Sequence, residues 1–286
     1  MFTPHGHTKT LQHSGEVESE ALFSCILCGA CTPVCPQNID LMAMFITLRI
    51  KANKGAQQAE TSKAVQERIE NNLQQNKVQN IAGKTVFLAN EILHSNKNYL
   101  ENILALLNEN NDLVLADDDA SDIALALETG IEIPAQRINQ FFEPLRQAEK
   151  IIVADGLLMR ELMNRLPQKR IVSLGHELSS LHSVKSRLCP TDFYIIESRA
   201  YHADYNTLLT HYDELPQERG CMLNLDLHRL AIPTGVNGVI QIDAEKQSRW
   251  ILEGWDFECI VVEDINDIAL LSRVSDKPVV HVTEIV

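Results

Sequence analysis

Four cysteines stand close together near the start of the chain, in the run Cys25-Ile-Leu-Cys28-Gly-Ala-Cys31-Thr-Pro-Val-Cys35-Pro. Their spacing, C-x2-C-x2-C-x3-C-P, is the pattern with which thiolates hold a 4Fe-4S cluster. Gly29 allows the backbone to fold close to the inorganic sulfides, where amide N–H groups can donate hydrogen bonds. A zinc site is the alternative, but zinc sites usually need two separated cysteine pairs or histidines. The motif therefore predicts a 4Fe-4S cluster as cofactor, with Cys25, Cys28 and Cys31 as ligands.

The motif leaves the fourth ligand open. In proteins with two clusters, the fourth cysteine of such a run binds the other cluster, and this chain contains one run. Cys35 either completes the local cluster or reaches a second centre. Cys189, which is followed by a proline, is the alternative remote ligand. Histidines near the N-terminus could also bind a metal, although polar termini are commonly mobile without one: His5, His7 and His13.

The composition narrows the class of protein. A chain of 286 residues has room for about two domains. The formal charge of −14 argues against nucleic acid and anionic membrane surfaces as partners. No apolar run approaches the roughly 20 residues of a transmembrane helix, and no secretory signal pattern opens the chain. Four of the seven cysteines lie in one motif, which favours a metal site in a reducing compartment over a disulfide framework. The sequence therefore predicts a cytoplasmic protein.

The distribution of apolar and polar residues along the sequence predicts an α/β protein. In this prediction a small helical ferredoxin-like segment precedes a duplicated parallel α/β domain. Residues 1–20 are expected to be a flexible N-terminus. Residues 21–80 are expected to hold the cluster, a buried helix over Ile39 to Ile50, and an exposed helix and linker after it. From residue 84, apolar runs alternate with helical patterns, which is typical of βαβ units. Two similar halves, 84–180 and 190–286, indicate an internal duplication.

The run from Leu22 to Asp40, followed by an amphipathic helix, resembles the second ferredoxin motif of a family of iron–sulfur subunits. That family comprises the glycolate oxidase iron–sulfur subunit, the anaerobic glycerol-3-phosphate dehydrogenase C subunit and the heterodisulfide reductase subunits. In these proteins a ferredoxin part is joined to two cysteine-rich "CCG" repeats. The region 84–286 is similar to those repeats in length, order and turn placement.

This chain departs from the family where the repeats carry the cysteines of a catalytic cluster. The matching positions hold other residues: Glu91, Asp118, Asp119, Asp155 and Leu158 in the first half, and Ala200, Pro233, Asp264 and Asp267 in the second. Carboxylates are hard donors and poor replacements for thiolates on an iron–sulfur cluster. The resemblance therefore implies degenerate, cysteine-less repeats without the second metal centre.

The leading interpretation is an iron–sulfur electron-transfer subunit or accessory module of an oxidoreductase complex, non-catalytic by itself. The resemblance implies redox partner proteins, among them a flavoprotein oxidase or dehydrogenase subunit. One alternative is an oxidoreductase with its own substrate or cofactor site in the cleft between the two α/β halves. A second is an interaction module that the cluster stabilises without being turned over.

Four other features have simpler interpretations. The acidic run Asp117 to Asp122 lacks the ligand ladder of a calcium loop, so a solvated turn is expected. His202 and Asp204 are typical of a helix start rather than of a catalytic pair. The segment Pro233 to Gly238 lacks the lysine and glycine spacing of a nucleotide-binding loop. Cys221 and Cys259 are expected to be buried as small apolar side chains.

Overall fold

The computed structural model describes residues 22–37, 39–55, 60–75, 81–108, 112–225, 231–232 and 243–286. Within these ranges the chain forms thirteen α-helices and two four-stranded parallel sheets. The prediction of an α/β protein is confirmed. None of the helices in the described ranges has both the length and the apolar character needed to cross a bilayer. The predicted flexible segment 1–20 and the loop 233–238 lie outside the described residues.

Two helices precede the sheets: α1 (Leu41–Gly55) and α2 (Glu60–Gln74). The Asp40 carboxylate accepts a hydrogen bond from Ala43 N at 3.0 Å and so satisfies one free amide of the first turn of α1. The predicted buried helix over Ile39 to Ile50 corresponds to α1. Met42 and Phe45 of this helix pack in a small apolar core with residues from other segments: Leu22, Leu27 and Leu157.

Helix α2 is exposed on one side, as its polar composition predicts, but it is buried along the other. Val65 and Ile69 are buried against Leu125 and Ile131. One apolar residue per turn suffices to form this stripe, because residues four apart lie on the same face of a helix. A helix with few apolar residues can therefore still have one buried face.

The first sheet has the strand order β2-β1-β3-β4. Its strands are β1 (Thr85–Leu88), β2 (Leu113–Leu115), β3 (Lys150–Val153) and β4 (Arg170–Ser173). The connecting helices are α3 (Glu91–Ser95), α4 (Lys97–Leu107), α5 (Ser121–Thr129), α6 (Ala135–Leu145) and α7 (Gly156–Arg165). The strands of a parallel sheet are covered by helices on both faces, so their side chains are buried on both sides. For this reason β1 and β3 are almost continuously apolar in the sequence.

The second sheet has the corresponding order β6-β5-β7-β8. Its strands are β5 (Asp192–Ile195), β6 (Met222–Leu223), β7 (Cys259–Val262) and β8 (Val279–His281). The helices from β4 onward are α8 (Leu174–Ser180), α9 (His182–Lys185), α10 (Ser198–Ala203), α11 (Tyr205–Arg219), α12 (Ala244–Leu252) and α13 (Ile265–Val274), with a 3-10 helix at Val282–Glu284. The two sheets fall within the ranges 84–180 and 190–286.

A capped helix follows the carboxyl end of each central strand. Asn90 caps α3 after β1, and Asp155 caps α7 after β3. Glu197 caps α10 after β5, and Asp264 caps α13 after β7. Each of these side chains accepts a hydrogen bond from a backbone N–H of the first helical turn. Polar side chains are therefore concentrated at the carboxyl edges of both sheets.

The two sheets contribute to one apolar core. Phe87 and Ile152 of the first sheet belong to the same buried cluster as Tyr194 and Val261 of the second, and all four are at most 1% exposed. Further clusters cover the outer face of each sheet. The carboxyl edges of the two sheets are consequently held in a fixed relation to each other.

Candidate functional site

The cysteine loop, residues 25–35, follows Leu22 and precedes α1. Two of its residues have left-handed backbone conformations, Leu27 with φ of +54° and Gly29 with φ of +81°. Thr32 N donates to Gly29 O at 3.0 Å, and Cys35 N donates to Thr32 O at 3.2 Å. Left-handed residues placed between right-handed ones turn successive amides toward one side, which is how nests bind anions and iron–sulfur centres.

The thiols of the loop are held in surroundings that oppose their ionisation. Burial raises the pKa of Cys28 to about 11, although the Ala30 amide stabilises its thiolate. Burial also raises the pKa of Cys25, against a hydrogen bond from the Leu27 amide, and that of Cys31. Neighbouring thiolates repel one another. A metal centre that binds all of them would remove both penalties, because it neutralises the charge.

The donor set of the loop suits an iron–sulfur cluster, because thiolates are the ligands that hold such clusters. In the described residues, no three His, Cys, Asp or Glu side chains converge as ligands of one ion. The Thr32 hydroxyl is buried beside the Cys31 thiol and has no protein partner of ordinary hydrogen-bond geometry. A group enclosed by the loop would give this hydroxyl a partner.

Two buried arginines, Arg49 and Arg199, bind the backbone of the loop; we call them the arginine pair. Arg49, on α1, donates from Nη2 to Cys25 O at 2.5 Å and to Leu22 O at 3.1 Å. Arg199, on α10, donates to Ile26 O from Nε at 3.1 Å and from Nη2 at 2.8 Å. The loop is thus fixed by guanidinium groups from two separate helices.

Glu128, on α5, connects the arginine pair. Its backbone oxygen accepts from Arg49 Nη1 at 2.5 Å, and its Oε1 accepts from Arg199 Nη2 at 2.7 Å. The residue is 1% exposed, and its Oε2 has no hydrogen-bond partner. Burial raises the pKa of Glu128 to about 7, although both arginines favour the carboxylate. Glu128 therefore only partly balances the two positive charges.

Close packing fixes the helices that carry these groups. Gly130, with φ of +73°, terminates α5, and a Cβ there would lie 2.3 Å from Arg49 Cβ. A Cβ on Gly29 would lie 2.8 Å from His202 Cβ. The Nδ1 atom of the His202 ring hydrogen-bonds Ser198 O at 2.8 Å. His202 of α10 therefore supports the loop.

The outer side of the loop faces solvent. Val34 is 69% exposed and Ile39 is 49% exposed, although both are large apolar residues. Cys35, beside Val34, is half-buried. An exposed apolar rim beside the cysteine loop is a suitable contact surface for a partner protein.

A small cavity of about 30 Å³ lies between the loop and the carboxyl edge of the second sheet; we call it the carboxyl-edge cavity. Ile26 of the loop lines it together with Glu197, Arg199, Asp264 and Asp267. Burial raises the pKa of Glu197 to about 8 and that of Asp264 to about 6. By volume the cavity holds one or two water molecules.

The structure places Cys189 at the amino end of the second sheet. Its N–H donates to Asp192 Oδ2 at 2.9 Å, at the first residue of β5. Cys259 is the register partner of Asp192, and Cys221 directly precedes β6. The loop meets the opposite end of β5, beyond Ile195, through Arg199. Cys25, Cys28, Cys31 and Cys35 thus share one loop, and Cys189 lies away from it.

The acidic run is not a solvated turn. Asp122 is 2% exposed, and both its oxygens accept from Arg137 at 2.7 Å. Asp118 binds the same guanidinium at 2.7 Å through both oxygens. A fully buried arginine from α6 therefore accounts for Asp118 and Asp122, whereas Asp117 of the same run is exposed.

Sequence reasoning missed the arginine pair and Glu128. One signal exists in the sequence: Arg49 is the only charged residue in the apolar run from Leu41 to Ile50. A charge on a helix that is otherwise apolar indicates a buried partner.

No protein-family model, curated protein or solved structure matches this chain.

Proposed function

We propose that this chain is an iron–sulfur electron-transfer subunit or accessory module of an oxidoreductase complex, with one 4Fe-4S cluster on Cys25, Cys28, Cys31 and Cys35. When bound, the cluster supplies one-electron redox chemistry. In this proposal the chain carries electrons between redox partners in the cytoplasm and converts no substrate itself. A flavoprotein oxidase or dehydrogenase subunit is the leading class of partner.

The observation that carries the proposal is the burial of Arg49. Its guanidinium stays protonated, and a buried charge without a counter-charge is strongly destabilising. In the described part of the chain its hydrogen bonds go to backbone carbonyls and no carboxylate forms an ion pair with it. The Glu128 carboxylate binds Arg199 directly and acts on Arg49 only through space. An anionic cluster on the loop would add to this partial compensation of the buried charge.

The arrangement of the two halves supports the resemblance on which the finer proposal rests, a ferredoxin-like segment followed by duplicated, degenerate CCG-like repeats. Both sheets have the same strand order. Asp155 and Asp264, two positions where the family carries cysteines, interact electrostatically with Arg199 and with each other. Asp267, a third such position, lines the carboxyl-edge cavity. Three of the matching positions therefore lie close to Arg199 or the cavity, next to the residues that contact the cysteine loop.

The position of Cys189 supports Cys35 as the fourth ligand. Cys35 lies four residues after Cys31 in the same turn, whereas Cys189 precedes the amino end of β5. A strand of four residues spans about 10 Å, which separates Cys189 from the edge that meets the loop. We therefore assign the local cluster to the four cysteines of the motif.

The second candidate is an oxidoreductase with a site between the two halves. The buried acids of the carboxyl-edge cavity favour it, since raised pKa values are typical of acid–base groups. The cavity volume of about 30 Å³ opposes it, because a small-molecule site usually needs about 300 Å³ or more. The size of the carboxyl-edge cavity therefore argues against a small-molecule site at that place. A purely structural cluster is the third candidate, and reversible reduction of the cluster would distinguish it.

The test is anaerobic purification, with iron and sulfide counts and EPR of the reduced protein. We expect about four irons per chain and a reversible one-electron reduction. Cys28→Ser and Cys35→Ser should lose most of the cluster. Cys189→Ser and the buried Cys221→Ser are the matched controls and should retain it.

Colourless protein without iron, or protein loaded with zinc, would contradict the proposal. Loss of the cluster in Cys189→Ser, with retention in Cys35→Ser, would contradict the assignment of the fourth ligand alone.

A further inference from the structure

The arginine pair places two buried positive charges beside the first cysteine of the loop. Arg49 donates to Leu22 O at 3.1 Å and to Cys25 O at 2.5 Å. Arg199 donates to Ile26 O at 3.1 Å and at 2.8 Å. Arg49 is 1% exposed, and the side chain of Arg199 is 11% exposed. Both guanidinium groups are therefore fixed at backbone atoms of the loop and shielded from solvent.

Carboxylates compensate the two positive charges unequally. Arg199 forms an ion pair with Glu128 at 2.7 Å, and it also interacts electrostatically with Asp155 and Glu197. Arg49 binds the backbone oxygen of Glu128, so the carboxylate of that residue acts on Arg49 only through space. The other hydrogen bonds that Arg49 makes with the described residues go to backbone carbonyls of the loop segment. Arg49 is therefore the less compensated charge.

Glu128 supplies a negative charge in the same buried region. Its Oε1 accepts from Arg199, and its Oε2 has no hydrogen-bond partner. The residue is 1% exposed. Its backbone oxygen accepts from Arg49 Nη1 at 2.5 Å. One residue thus contacts both guanidinium groups and opposes their charge at the base of the loop.

Fixed charges at these places change the free energy of adding an electron to the loop. Reduction adds one negative charge to the group that the cysteines hold. A buried positive charge favours the reduced form, and a buried negative charge favours the oxidised form. Both effects are larger at the low effective dielectric constant of a protein interior than in water. The direction agrees with the effect on the Cys25 thiol, whose ionised form both arginines favour.

We propose that Arg49 and Glu128 set the reduction potential of the cluster with opposite signs: Arg49 raises the potential, and Glu128 lowers it. This inference rests on the proposed function. The step concerned is the transfer of one electron from a redox partner to the cluster, in which no bond of the protein forms or breaks. Neither residue is a cluster ligand, so both are positioning residues that act through their charge.

The test is a redox titration of cluster-loaded protein, followed by EPR at pH 8.5. Glu128 has a pKa of about 7 and is ionised at that pH. Arg49→Gln should lower the equilibrium constant for reduction at least tenfold, which is about 59 mV for one electron. Arg49→Lys keeps the charge and should restore most of the potential. Glu128→Gln keeps an acceptor for Arg199 and should raise the potential at least tenfold in the same equilibrium.

The matched control is Arg146→Gln, which removes an exposed arginine that is paired with Glu143 on the surface. Solvent and salt screen such a charge, so the potential should not change. The shifts in the two buried variants should persist in 0.5 M KCl, because buried charges are screened much less. Urea unfolding of the iron-free variants checks that each of them folds.

The sign of the shift separates a charge effect from mere support of the loop. A disturbed loop would move the potential in the same direction in Arg49→Gln and Glu128→Gln, and that result would overturn the inference. If Arg49→Gln loses its cluster, Glu128→Gln decides alone: an unchanged or lower potential overturns the inference. Wild-type protein without iron overturns the proposed function and this inference with it, and the iron count distinguishes that result from an unshifted potential.

Discussion

At the scale of single residues, buried charges define the surroundings of the cysteine loop. Arg49 and Arg199 hold the backbone at Cys25 and Ile26, while Glu128 joins the two guanidinium groups. Charges in such positions cost folding free energy unless they are paired. Glu128 has one carboxylate oxygen without a partner, so its ionised form is only partly compensated.

Glu128→Gln should therefore change the pH dependence of stability. The folded-state pKa of about 7 lies above the unfolded value, so the wild type binds an extra proton when folded between about pH 4.5 and 7. Its stability falls as pH rises through that window. Relative to wild type, Glu128→Gln should gain on the order of 2–3 kcal/mol between pH 5 and pH 8.

Urea unfolding at both pH values, with equal cluster content, measures this difference. The control is Glu143→Gln, which removes an exposed ion pair with Arg146 and should show no such trend. A difference between Glu128→Gln and wild type that is independent of pH would contradict the expectation.

At the scale of secondary structure, the site depends on contacts between helices at the ends of strands. Helix α1 carries Arg49, and α5 carries Glu128 and ends at Gly130. These helices approach so closely that Gly130 touches the backbone and Cβ of Arg49. Asn53 Nδ2 adds a hydrogen bond to Thr129 O at 2.6 Å. The geometry of the arginine pair therefore depends on a glycine that is distant in sequence.

Gly130→Ala should destabilise the protein and weaken cluster retention together. Its left-handed φ costs about 1–2 kcal/mol for alanine, and forcing a methyl group against Arg49 adds about 1–3 kcal/mol. Gly254→Ala is the matched control, because Gly254 has φ of +85° and open space around its Cβ position.

Urea unfolding and iron counts on both variants check this expectation. Equal losses of stability in the two variants would show that backbone conformation, and not the contact with Arg49, is responsible.

At the scale of the whole molecule, two sheets with the same strand order share one core and one functional edge. Gly156, at the start of α7, lies under α10: a Cβ there would be 2.4 Å from Ala200 N and from Arg199 Cβ. This contact joins the first half to the helix that positions Arg199. We therefore expect the two halves to unfold as one cooperative unit.

Amide hydrogen exchange checks this expectation. The most protected amides of β1 and β5 should report opening free energies within about 1 kcal/mol of each other. Gly156→Ala should lower both equally. The control is Gly83→Ala, where the cost comes from the left-handed φ of +66° alone, because nothing lies within 4 Å of the Cβ position. Faster exchange in one sheet alone would indicate two independent units.

The sequence alone predicts the local features of this protein well. The central strands β1, β3, β5 and β7 coincide with apolar runs, because fully buried parallel strands need apolar side chains on both faces. The cysteine motif also predicts its own loop, since its residues are close in the chain. Helix α6 is not evident in the sequence, because it contains Pro144 and buries Arg137, whose charge is tolerated only through Asp118 and Asp122.

Only the tertiary structure decides what surrounds the loop. Arg49 and Glu128 are 79 residues apart, and Arg199 and Ile26 are 173 residues apart. Helical and strand periodicities reach a few residues along the chain, so they carry no information about such pairs. The arginine pair and the carboxyl-edge cavity arise because packing two sheets on one core brings distant polar side chains to a common edge, where burial forces them to bind one another.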